Sequence, residues 1–133
     1  MLPASKPSGA ARRLPGPQRG RTPVAPVLDL QPIEPLIARV VERLAPEEIW
    51  LFGSRAEGRA RPDSDYDLLV VLPDSAPEQA LDLQRAWELT CGLGVAADLV
   101  PCTRSEFEEE KEAVGTLASA AFRRGRRVYD RRA

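Results

Sequence analysis

The chain has 133 residues, room for one domain, of which 43% are apolar, 29% charged and only 5% aromatic. Histidine is absent, which excludes Ser-His-Asp and Cys-His nucleophilic machinery, histidine general bases and every histidine-containing zinc site. The net charge of −1 hides a segregation: residues 1–26 carry +5, residues 27–121 carry −11 and residues 122–133 carry +5.

Chemistry on this chain must therefore run on carboxylates, hydroxyls, backbone amides and Arg or Lys. Cys91 and Cys102 are too few and wrongly spaced for a structural zinc cluster, and a disulfide between them is not favoured. An acidic body argues against non-specific nucleic-acid binding, which needs a basic face to displace counterions. It suits a site that gathers divalent cations.

Residues 1–26 hold six prolines, three glycines and no periodic apolar pattern, so a disordered Pro/Arg-rich tail is expected there. A folded domain follows over 27–133. No apolar run approaches the ~20 residues of a membrane span, and no signal-peptide core is present, so a cytoplasmic location is expected. Leu36, Ile37, Val40, Val41 and Leu44 recur at helical spacing, and Pro46 ends that helix. Ile49–Phe52 reads as a short strand closed by Gly53, and residues 58–64 as a loop.

Asp65–Leu72 is the strongest strand, and its apolar second half places it centrally in a sheet covered by helices. Ala76–Leu89 supports a second helix with Gly92 as its C-cap, and Val95–Val100 a third strand stopped by Pro101. Thr103 and Glu106 form a capping-box pattern opening a last helix, which runs through Leu117 and Phe122 to Gly125. Arg127–Tyr129 fits a short edge strand. This order predicts one α/β sheet.

Ile49–Asp74 carries the chemistry. Asp65 and Asp67 stand at i and i+2 on a strand, so both carboxylates point to one face. Two like charges this close need a cation between them, and hard oxygen ligands select Mg²⁺ or Mn²⁺. Asp98 can bring a third carboxylate if its strand lies beside theirs. Three convergent acids can hold two metals that activate an attacking hydroxyl and steady a leaving phosphate. Gly53 lets a phosphate approach the backbone, Ser54 and the amides after it offer donors, and Arg55 adds a charge-assisted contact.

Other patterns have simpler readings. Asp63, Asp65 and Asp67 begin like a calcium loop, but Leu68 stands where that loop needs Gly. Gly92–Ala97 mimics a dinucleotide fingerprint ahead of a strand rather than after one. Glu106–Glu112 is a solvated helical turn. The pairs Arg123–Arg124 and Arg126–Arg127 read as a solvated helix end, with contact to a partner or nucleotide as the other reading. Trp50 and Trp87 read as core or interface bulk.

Gly53-Ser54, ten residues, then Asp65-Tyr66-Asp67 matches the GS-x10-DxD motif of the DNA polymerase β-like nucleotidyltransferases. The segment GSRAEGRARPDSDYDLLVV closely resembles the minimal nucleotidyltransferases, the MNT half of bacterial MNT/HEPN toxin–antitoxin pairs. The resemblance covers about residues 33–130, with its specificity at 49–72. It implies a single polymerase β-like nucleotidyltransferase domain, a small mixed sheet packed with helices. It further implies that Gly53 and Ser54 hold nucleotide phosphates, that Asp65 and Asp67 bind two Mg²⁺ ions, and that Asp98 completes the metal site and helps deprotonate the acceptor.

Glu57 departs from the family pattern, since many relatives carry a basic residue there, which leaves the phosphate-facing charge to Arg55, Arg59 or Arg61. The implied activity is AMP transfer from ATP to a tyrosine hydroxyl of a HEPN-type toxin partner, within a homo- or hetero-oligomer. The small size favours an acceptor docking from another chain. A small-molecule nucleotidyltransferase acting on an aminoglycoside or lincosamide-like alcohol is the runner-up, and a catalytically inactive binding antitoxin is the third.

Overall fold

The computed structural model describes residues 29–133; the expected tail over 1–26 lies outside them. Helix α1 (Glu34–Leu44) follows a single 3-10 turn and stops at Ala45, which takes a left-handed conformation just before Pro46. Strand β1 (Glu48–Phe52) leads into the Gly53 turn, and strand β2 (Tyr66–Leu72) follows the loop. Helix α2 (Leu83–Thr90), strand β3 (Ala97–Thr103), helices α3 (Arg104–Glu110) and α4 (Leu117–Arg124), and strand β4 (Arg126–Asp130) complete the order. No helix among the described residues is long and apolar enough to cross a membrane.

The sheet is mixed, in the order β3-β2-β1-β4. β1 runs antiparallel to both β2 and β4, whereas β2 and β3 are parallel, the α2 segment making the crossover. β2 is central, and its residues Leu68–Leu72 are all buried. Their side chains alternate between two cores. Leu68, Val70 and Leu72 join Leu36 and Val40 of α1 and Ala86 and Leu89 of α2 on one face. Leu69 and Val71 join Phe107 of α3 and Ala118 and Ala121 of α4 on the other. Trp50 packs there with Phe107 and Phe122, with ring centroids 5.7 and 6.0 Å away.

Three sequence expectations shift. The segment Ala76–Leu89 is a 3-10 turn (Glu78–Leu81) and then α2, because the Asp82 carboxylate accepts from the Gln84 amide and caps a new start. The last helix is two: α3 opens on the expected Thr103–Glu106 capping box, the chain breaks around Gly115, and Thr116 caps α4 by accepting from Ser119. Finally, β3 passes through Pro101 instead of stopping there. β3 is an edge strand, so proline's missing N–H can fall on the unpaired side.

Candidate active site

The site sits where β1 ends beside the starts of β2 and β3. Phe52, the last residue of β1, pairs with Asp67, and Asp67 pairs in parallel register with Asp98. Neighbouring residues of paired strands share a face, so the Asp67 and Asp98 carboxylates emerge side by side on the α4 side of the sheet. Asp65 stands one residue ahead of β2, yet close enough to act on Asp67. Burial pushes the Asp67 carboxyl above its ordinary range, and the negative charges of Asp98 and then Asp65 push it further. Among the described residues none of the three has an ion-pair partner.

This donor set fits a hard divalent cation: oxygen ligands only, mutually repelling, without a protein counter-charge. It is not a closed cage, for no three His, Cys, Asp or Glu side chains among the described residues are drawn together tightly enough to hold an ion. Ligands from water and from a bound phosphate would have to complete the coordination, as is usual for Mg²⁺.

Gly53 takes a left-handed conformation with φ 77°, and its backbone runs against the Asp67 carboxylate so closely that a side chain there would strike the carboxylate oxygen. The next residues curl into one turn. Ala56 and Glu57 donate their N–H groups to the Gly53 carbonyl, and Arg59 donates to that of Ser54. Among the described residues the Ser54 and Arg55 amides meet no protein acceptor. They open the turn with free donors beside the Gly53–Asp67 contact, an arrangement that suits an anion.

Arg55 does not join this group. Its guanidinium donates to the Pro62 carbonyl at 3.2 Å and to the Ser64 carbonyl at 2.8 Å, and lies 4.4 Å from the centre of the Tyr66 ring. Tyr66 alternates with Asp67 and belongs to the core on the opposite face of the sheet. These contacts make the Arg55 side chain a clamp that fastens the 58–64 loop onto β2.

Sequence reasoning missed the site's apolar rim. Leu83 and Trp87 of α2 and Leu117 of α4 line a cleft of about 440 Å³ with Asp67 and Asp98. Trp87, expected in the core or at an interface, is 57% exposed. In α2 Ala86 and Leu89 face the core, and the outward Trp87 beside an acidic pair was the available signal.

A proposed nucleotidyltransferase from Sulfolobus solfataricus is similar over 76% of this chain and 85% of its own, with 21% identity and a TM-score of 0.49. A toxin–antitoxin complex with AMP-PNP includes a chain similar over 71% of each, with 22% identity and a TM-score of 0.49. No curated protein matches the chain significantly. The profile of the nucleotidyltransferase domain matches residues 33–125, which span every element from α1 to α4, with the Gly53 turn and Asp65, Asp67 and Asp98 among them. The chain belongs to the nucleotidyltransferase domain family.

Proposed function

We propose that this protein transfers AMP from ATP to a tyrosine hydroxyl of a HEPN-type toxin partner and acts as its antitoxin. The observation that supports transfer chemistry is the parallel pairing of Asp67 with Asp98 beside the Gly53 contact, which sets two carboxylates next to free backbone donors. Asp65 and Asp67 would hold both Mg²⁺ ions and Asp98 one of them. Bound there, the metals supply charge neutralisation and lower the barrier to attack at phosphorus. Gly53 and Ser54 bind the phosphates. Asp98 takes the proton from the acceptor oxygen. That oxygen forms a bond to the α-phosphorus, the bond from phosphorus to the β-phosphate oxygen breaks, and pyrophosphate leaves with the electron pair.

The protein acceptor rests on the sequence resemblance to minimal nucleotidyltransferases and on the rim. Leu83, Trp87 and Leu117 suit an apolar or aromatic protein surface better than a polyhydroxylated cationic drug, whose amines and hydroxyls would find few partners there. The test is incubation of the purified protein with α-labelled ATP, Mg²⁺ and the product of the neighbouring reading frame. Label on a tyrosine of that product is expected. An unlabelled product refutes the reading, and label on an aminoglycoside or lincosamide moves the function to drug modification. Asp67→Asn should lower the transfer rate on the order of thousands-fold with the fold intact. A variant that still neutralises its partner would mark a binding module instead.

A further inference from the structure

The residues around the Ser54 turn hold a cation that chain order hides. Glu57 lies three residues after Ser54 within one helical turn, so the two side chains share a side. A lone carboxylate there would repel a triphosphate. Glu57 is not alone: Arg59 stands 3.3 Å from one of its oxygens and Arg124, from the last turn of α4, 3.5 Å from the other. Two guanidinium groups against one carboxylate leave the turn with a positive balance. Both arginines keep about 60% of their side-chain surface in water, so each has donors to spare.

The end of α4 that carries Arg124 is firmly placed. The backbone of Gly125 packs directly against the Leu51 carbonyl, in a space where a side chain would collide with Leu51 and Ala121. That contact pins the end of α4 beside β1, two residues before Gly53. A basic residue at the end of a helix is ordinarily a response to the helix dipole. The dipole does not account for a guanidinium held against the turn that carries the free Ser54 and Arg55 amides.

We propose that Arg124, with Arg59, binds the β- and γ-phosphates of the nucleoside triphosphate, and that Glu57 is the positioning residue that holds both guanidinium groups at the turn. This rests on the nucleotidyl-transfer reading above. It assigns to a helix 67 residues downstream the charge that a local arginine would otherwise supply.

The experiment is calorimetric titration of the full chain with α,β-methylene-ATP and, separately, with AMP, both with Mg²⁺. Arg124→Ala should weaken α,β-methylene-ATP binding about tenfold or more, the loss of a charge-assisted bond, and leave AMP binding unchanged. Arg124→Lys should recover part of it. Arg124→Gln carries the same expectation as Arg124→Ala should the latter lower the melting temperature. Equal binding of α,β-methylene-ATP by the wild type and a folded Arg124→Ala overturns the proposal alone, as does an equal loss for AMP. A wild type that binds no triphosphate overturns the nucleotidyl-transfer reading with it.

Discussion

The backbone at Gly53 meets the Asp67 carboxylate at a φ that L side chains rarely adopt. Gly53→Ala should therefore cost roughly 1–2 kcal/mol for the left-handed conformation, measured by urea unfolding. It should also turn the Asp67 carboxylate aside, so transfer should fall by far more than the stability loss explains. The two cysteines are free, and they differ in kind. Cys91 is exposed, whereas burial, with Glu106 and Glu110 nearby, pushes the Cys102 thiol up to about 12. At pH 8 a thiol reagent should modify Cys91 in the folded protein and reach Cys102 only after denaturation. Rapid modification of both would contradict the packing of β3.

At the level of elements, Arg104 ties α3 to the sheet's far end. Its guanidinium bonds Glu47 at 2.8 Å, Glu48 at 3.3 Å and Glu108 at 2.9 Å, and these carboxylates hold its proton still more tightly than usual. Glu48 is 4% exposed and also accepts from the Trp50 indole. Arg104→Ala removes the nearest of three arginines around that carboxylate, leaving the more exposed Arg127 and Arg132 at 3.5 and 3.6 Å, and should cost about 1–2 kcal/mol, less than a fully buried pair because Arg104 itself is partly solvated. Adding Glu48→Gln should return part of the loss, read by the same unfolding curves. The elements themselves were mostly legible in the chain. The apolar stripe of α1, the centrality of β2 and the Thr103 capping box are local patterns, and each stands where expected. The breaks at Asp82 and around Gly115 were not, because apolar spacing continues across both and only the cap hydrogen bonds reveal a restart. The pairing of Asp67 with Asp98 was likewise beyond local pattern, since a crossover sets the parallel register. The Arg55 clamp was beyond local pattern for a related reason: its partner Tyr66 alternates with the aspartates, and nothing local says which side the loop folds toward.

Across the molecule, the basic C-terminal stretch folds back onto acids. Arg127, Arg131 and Arg132 pair with Glu47, Glu48 and Asp130, so the charge segregation along the chain is largely cancelled at that end of the sheet. Asp65, Asp67 and Asp98 stay outside this neutralisation, with no ion-pair partner among the described residues. Folding therefore brings like charges together at a cost. A carboxyl whose pKa is higher in the folded than in the unfolded chain, as that of Asp67 is, binds its proton better when folded. Stability then falls as pH rises through that range, and the deficit is present at neutral pH and absent once Asp67 is protonated in both states. Asp67→Asn removes the charge. Without divalent cation it should melt higher than the wild type at pH 7, by less than about 1 kcal/mol because solvent screens the half-exposed carboxylate, and the gap should close in acid. Mg²⁺ should reverse the order, stabilising the wild type by binding the folded state and doing much less for Asp67→Asn, while NaCl of equal ionic strength should not. Melting curves across pH, with and without Mg²⁺, check both halves; equal Mg²⁺ shifts in the two proteins would show that these carboxylates hold no cation.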